Sequence, residues 1–364
     1  MRIALRLSVL LAGRFLAAQC AQADSLLYKP GDVIAVLFSS TDGSNTTVSI
    51  LAVDPATSQV TPLSTDPLLQ PTLNGVGDVP IALDANGDIL AMVGTGLFEG
   101  RVVRIDARNG LARPVADVFV APLSTNIDRL GSQLFFAYQT IPAPSKVTPR
   151  WGVASFDLET MQSSSISEGG WIGPPNGAGV ISSVRIESGT SLLVGEGSLL
   201  LRILADTGVQ SVVADLPGIG FNDLAITNQG VVALGAGGIF SLGPGESPTL
   251  LAAVGPQGNL SLAVLPDGSF AVAADRIYHV EIGSEPTSIL DPCPDFPSTP
   301  CFSRLGGLVA APDSVPDPAA GQLVALLALT AIRRRRLRAG CTTPRSPSML
   351  GPASRSAADR AARA

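Results

Sequence analysis

Between about residue 30 and residue 312, apolar residues recur in short runs broken by turn residues, and one run repeats. It is an apolar, variable, apolar triplet followed by a turn position: Leu51-Ala52-Val53-Asp54, Val103-Arg104-Ile105-Asp106, Ala154-Ser155-Phe156-Asp157, Leu201-Arg202-Ile203-Leu204, Phe240-Ser241-Leu242-Gly243 and Tyr278-His279-Val280-Glu281. The fourth positions lie 52, 51, 47, 39 and 38 residues apart, so six copies fit. Self-similarity at this period is the mark of a repeat architecture.

A second element precedes most of these copies: an apolar strand, a glycine-containing turn and another apolar strand. It is clearest at residues 81–91 around Asn86-Gly87 and at residues 262–272 around Asp267-Gly268, with looser copies around Gly189 and Gly230. Asn-Gly and Asp-Gly between apolar runs predict hairpins, because such residues accept the positive φ that matches strand twist. Each unit therefore reads as a small antiparallel meander. A repeated four-stranded meander of about 40 residues is the unit of a β-propeller. The pattern predicts an all-β propeller of six blades, with seven blades or a pair of β-sandwiches as alternatives.

The two ends of the repeat region predict how the ring closes. The first unit begins directly with an apparent second strand, Asp32-Val33-Ile34-Ala35-Val36, and lacks a first. Near residue 305, Leu305-Gly306-Gly307-Leu308-Val309-Ala310-Ala311-Pro312 reads as a first strand with no partner following it. Pairing of residues 305–312 with residues 32–37 would complete one blade.

Composition supports short strands and tight turns: of 364 residues 46% are hydrophobic, with Gly 38 and Pro 29. The formal charge of −6 conceals an asymmetry, because the basic residues crowd the ends. From Asp24 to Ile332 there are 12 basic and 29 acidic residues, a net −17. Such a surface repels phosphate backbones and argues against nucleic acid as a partner. Divalent cations and cationic surfaces stay open.

The ends themselves read as addresses. Residues 1–23 have a basic start at Arg2 and Arg6, an apolar run over residues 7–18 interrupted by Arg14, and Ala21-Gln22-Ala23 as a small-residue cleavage site. The alternatives are a buried N-terminal helix and lipidation at Cys20. At the other end stand Val315, Pro316, Asp317 and Pro318, an apolar stretch over residues 319–332, and the cluster Arg333, Arg334, Arg335, Arg336. Fourteen helical residues span only about 21 Å against a hydrocarbon core of about 30 Å, so this short transmembrane helix is expected to be a marginal anchor on its own. The arginines after it would stay cytoplasmic and leave the body outside.

In that order, Pro-Asp-Pro, a short apolar helix and an arginine block resemble the PEP-CTERM tail of Gram-negative bacteria. The resemblance implies recognition and cleavage by an exosortase, transient membrane anchoring through the helix, and sorting to the envelope or exterior. Asp317 stands where that family usually has Glu, and 26 further residues follow Arg338. An ordinary C-terminal membrane anchor is the alternative. The organisation read from the chain is a signal peptide over 1–23, a propeller over 24–312, the sorting tail over 313–338 and a disordered tail over 339–364.

The repeat units resemble NHL and SMP-30-like propellers over roughly residues 30 to 312. An SMP-30 resemblance implies a divalent ion, calcium, at the channel mouth, held by Glu, Asn and Asp from several blades. The residues that fit are Asn222 and Asp223, just before a predicted inner strand, together with Glu196; Asp84 and Asp275 are further candidates. Turn capping explains these residues equally well.

His279 is the sole histidine, which rules out multi-histidine metal sites and weakens any catalytic triad; it reads as an outward-facing strand residue. Gly235-Ala236-Gly237-Gly238 lacks the Lys-Ser or Lys-Thr of a phosphate loop and reads as a turn. No catalytic set emerges and no cofactor is expected, with calcium the ion to test. The sequence points to an exported, non-enzymatic propeller acting in surface interaction or matrix, handled by signal peptidase and exosortase on its way out. Its rival is a calcium-dependent SMP-30-like lactonase or esterase.

Signal and tail removal would leave Cys293 and Cys301 as a pair in an oxidising compartment, predicting a disulfide across a Pro-rich loop. The mature protein from its native host is expected to begin at Asp24, to end near residues 316–318, and to lack free thiols until reduced. Intact mass with and without alkylation checks all three; retention of both ends would overturn the export reading.

Overall fold

The computed structural model describes residues 26–40, 46–70, 79–96, 99–118, 126–140, 150–171, 181–243, 247–254, 261–292 and 304–313. The signal, both cysteines of the expected disulfide and the sorting tail from Val315 onward lie outside the described residues. The chain divides into a compact unit, Met1–Pro316, and a second, Asp317–Ala364. No helix among the described residues is long and apolar enough to cross a membrane.

Six four-stranded antiparallel sheets form six blades of a β-propeller. Blade 1 combines β1 (Val33–Ser40), β2 (Thr46–Val53) and β3 (Val60–Ser64) with the last strand of the chain, β24 (Arg304–Ala310). Blade 2 holds β4 (Ile81–Leu83), β5 (Ile89–Gly94), β6 (Gly100–Ile105) and β7 (Ala112–Val118). Blade 3 holds β8 (Asp128–Leu130), β9 (Gln133–Thr140), β10 (Arg150–Asp157) and β11 (Gln162–Trp171). Blade 4 holds β12 (Ile181–Ser188), β13 (Ser191–Glu196), β14 (Leu199–Leu204) and β15 (Gln210–Asp215). Blade 5 holds β16 (Phe221–Thr227), β17 (Gly230–Gly235), β18 (Gly238–Leu242) and β19 (Thr249–Ala253). Blade 6 holds β20 (Ser261–Val264), β21 (Phe270–Ala273), β22 (Ile277–Val280) and β23 (Thr287–Leu290).

The six sequence triplets are the third strands of the six blades, and the glycine-turn hairpins are first and second strands. Closure follows the sequence expectation: β24 pairs antiparallel with β1, Val33 opposite Ala310, Ile34 opposite Val309 and Ala35 opposite Leu308. Two further backbone bonds lock the junction, Ala311 N–H to Asp32 O at 2.8 Å and Gly31 N–H to Ala311 O at 3.1 Å.

Second strands read as unbroken apolar runs because both faces of a blade are covered. Successive residues of a strand point to opposite faces. Ile34 and Val36 accordingly join the apolar cluster between blades 1 and 2, while Val33 and Ala35 join the one between blades 6 and 1. The remaining four seams carry a cluster each. The smallest lies between blades 4 and 5: Leu193, Leu200, Phe221, Leu224 and Ala233.

The seam between blades 1 and 2 is strapped by the residues before β1. Tyr28 sends its buried hydroxyl to Gly87 O at 2.6 Å, and Leu27 N–H donates to Ala107 O at 2.8 Å. Burial, reinforced by Asp84 and Asp88, pushes the Tyr28 phenol up to about 12.

Four blades use the same turn between third and fourth strands. In it the residue four places after the triplet's turn position takes a left-handed conformation: Ser58, Gly110, Met161 and Gly208, with φ of 58°, 71°, 58° and 69°. Each donates its N–H back to the turn position at 2.8 Å. Glycine appears where the turn abuts the preceding blade. A Cβ on Gly110 would sit 2.0 Å from Leu63 O, and one on Gly208 2.2 Å from Ile166 O. The turn carrying Met161 is open, its side chain 51% exposed.

Closure and turn geometry make three outcomes testable. A chain ending after Cys301 loses β24 and is expected to melt well below one ending after Asp313 and to associate through the unpaired edge of β1; equal melting temperatures would contradict the closure. Gly110→Ala, which adds carbonyl overlap to the left-handed penalty, is expected to cost about 2–4 kcal/mol in urea unfolding. Met161→Gly should be neutral or stabilising, since it removes a penalty of about 1 kcal/mol.

Candidate functional site

The inner strands surround the channel, and at four of them a polar residue stands immediately before a buried apolar one: Asn126 before Ile127, Ser183 before Val184, Asp223 before Leu224 and Ser261 before Leu262. Each accepts the N–H of the corresponding apolar residue on the next blade. Asn126 Oδ1 takes Val184 N–H at 3.2 Å, Ser183 Oγ takes Leu224 N–H at 3.2 Å, Asp223 Oδ2 takes Leu262 N–H at 2.8 Å, and Ser261 Oγ takes Leu308 N–H at 3.2 Å. The ladder thus links blade 3 through blades 4, 5 and 6 to blade 1. Arg129 Nε, bonded to Leu83 O at 2.8 Å, ties blade 2 to blade 3.

Asp223 is the hub. It is fully buried, and six groups donate to it: Asn126 Nδ2, Ser183 Oγ, Arg185 Nη2, Ser261 Oγ and the backbone N–H groups of Leu224 and Leu262. A carboxylate offers about four lone-pair directions, so these donors fill it. Burial pushes the Asp223 carboxyl above its ordinary range; Arg185, the Leu262 N–H and Ser183 pull it back. Arg185 reaches across two seams, with Nε on Leu224 O at 2.6 Å and Nη2 on Leu262 O at 3.2 Å and 3.3 Å from both Asp223 oxygens.

The three metal candidates from the sequence occupy different surroundings. Asn222 is the extra residue of a bulge in β16, where the register shifts between Phe221 and Asp223. Glu196 ends β13, opposite Ile181 and Leu199. Asp223 alone is in the hub. No group of three His, Cys, Asp or Glu that could hold a metal occurs among the described residues.

Asp84 serves a turn: its Oδ1 takes the N–H groups of Asn86 and Asp88 at 2.7 and 3.1 Å, and its Oδ2 lies 3.3 Å from Arg104 Nε. Asp275 accepts the Tyr278 hydroxyl at 3.0 Å. His279 is half-buried on β22, opposite Ala271, with Nε2 2.8 Å from Ser269 Oγ. That serine gives its hydrogen to Asp267 at 2.6 Å, the shorter bond, so it is held as a donor to carboxylate. Gly235-Ala236-Gly237-Gly238 is the hairpin turn between β17 and β18.

Sequence reasoning missed Asn126, Ser183, Arg185 and Ser261. The signal that would have found three of them is positional: a polar residue immediately before Ile127, Val184, Leu224 and Leu262.

No protein-family model and no curated protein matches the chain. Among solved structures, a chain in a nidogen/laminin complex is similar at TM-score 0.54 and 11% identity, over 77% of this chain and 99% of that one. A putative 6-phosphogluconolactonase from Bacteroides uniformis gives 0.46 and 14%, over 71% and 82%. TolB from Acinetobacter baumannii gives 0.44 and 12%, over 78% and 67%. At these identities the likeness is one of fold, a β-propeller.

Ser183 Oγ accepts the Leu224 N–H and donates to Asp223, so its loss removes two buried hydrogen bonds, one of them to a carboxylate. Ser183→Ala is expected to cost about 2–4 kcal/mol in urea unfolding, far more than the loss of one exposed hydroxyl. A change below about 0.5 kcal/mol would show that the ladder does not hold the seam.

Proposed function

We propose that this chain is an exported propeller that acts without catalysis, as a surface-interaction or matrix protein at or beyond the envelope of a Gram-negative bacterium. Signal peptidase and an exosortase would process its two ends. The observation that carries the non-enzymatic part is the hub. The carboxylate best placed for a channel-mouth metal, Asp223, has its oxygens taken up by six protein donors on blades 3 to 6. A metal ligand needs a free lone pair, and recruiting this one would strand buried donors. The export part rests on the two terminal patterns and the −17 body.

Calorimetric titration of the purified protein with calcium separates this reading from a lactonase. The expected result is no binding at millimolar or tighter affinity and no turnover across a lactone panel. Calcium binding accompanied by lactone hydrolysis would overturn the proposal.

A further inference from the structure

A cavity of about 410 Å³ lies in the channel, lined by inner-strand residues of blades 3, 4, 5, 6 and 1. That volume falls within the roughly 300–1,000 Å³ of small-molecule sites. Its walls are unequal. On one side stand two charged residues, Asp128 and Arg185; the rest of the lining is aliphatic, including Ala225, Ala263 and Val309.

The two charged groups are fixed by the fold and keep unused capacity toward the cavity. Asp128 Oδ2 takes the N–H of Ile186, the residue after Arg185, at 2.9 Å, and Oδ1 takes Arg129 N–H at 2.8 Å. The two side chains therefore leave neighbouring strands at one level, and each Asp128 oxygen retains a lone-pair direction. Arg185 is committed through Nε and Nη2, while Nη1 has no partner among the described residues. The fold thus places an acceptor and a donor in the lining of one cavity, each locked by other bonds, among aliphatic residues.

We propose that this cavity binds a small aliphatic molecule whose head carries a donor beside an acceptor, of which an aliphatic α-amino acid is the simplest. Its ammonium group would meet Asp128, its carboxylate Arg185 Nη1, and its side chain the wall of Ala225, Ala263 and Val309. A molecule bearing only one of the two charges would leave the other protein group desolvated and unmatched. This binding does not depend on where the protein is displayed, nor on calcium.

The test is calorimetric titration of the full-length chain with L-leucine, isovalerate and isoamylamine at neutral pH. The expected result is saturable one-to-one binding of L-leucine, with each single-charge analogue at least tenfold weaker. Asp128→Asn, which keeps an acceptor for Ile186, should weaken L-leucine at least tenfold and strengthen isovalerate, whose unmatched carboxylate neighbour it removes, with the melting temperature checking the fold. No saturable binding of L-leucine, or equal binding of isovalerate or isoamylamine, would overturn the proposal, and the comparison among the three probes stands even if the variant fails to fold.

Discussion

A carboxylate with no access to water must be matched by donors or it will unfold what surrounds it, and Asp223 places that demand at the centre of this ring. Desolvating such a charge costs several kcal/mol, recovered only through good geometry. The donors come from four blades, so satisfying Asp223 fixes the blades relative to one another. Removing any donor exposes the same cost. The hub also sits where apolar packing is thinnest, the seam between blades 4 and 5. Polar bonding carries there what larger apolar clusters carry at the other seams.

Closure is a second constraint, met differently on each side of blade 1. Toward blade 6, Ser261 continues the side-chain ladder to Leu308 on β24. Toward blade 2, the corresponding position on β24 is Gly307, which has no side chain to extend the ladder. Tyr28 and Leu27 span that seam instead, binding Gly87 and Ala107. Ser64 adds a bond to Gly110 O at 2.7 Å, which also explains why that turn approaches so closely that only glycine fits. The N-terminal residues and β24 thus act together, one strapping the ring and the other completing it.

The strands were legible in the sequence because their signals are local. The triplets gave the third strands, Asn86-Gly87 and Asp267-Gly268 gave hairpins, and the orphan strand at residues 305–312 revealed its partner by what the first unit lacked. The hub was only half legible. Asp223 stood out as a carboxylate before an inner strand, yet its partners Asn126, Ser183 and Ser261 lie 97, 40 and 38 residues away. Nothing local distinguishes a carboxylate that waits for a metal from one that neighbouring blades saturate. Register across a seam decides that, and register between blades is written in packing rather than in any one segment. Arg185 was equally hidden, one charge in a strand where alternation would place it in solvent.

The central claim is that Asp223 and Arg185 couple the blades as one unit, and a double-mutant cycle on that pair tests it most directly. Urea unfolding of Asp223→Asn, Arg185→Gln and the double variant gives the coupling. Each single change is expected to cost about 3–5 kcal/mol, with the double costing clearly less than their sum because neither change then leaves a buried charge behind. Costs that add to within about 0.5 kcal/mol would show that the two residues act independently and that the ring does not depend on the hub.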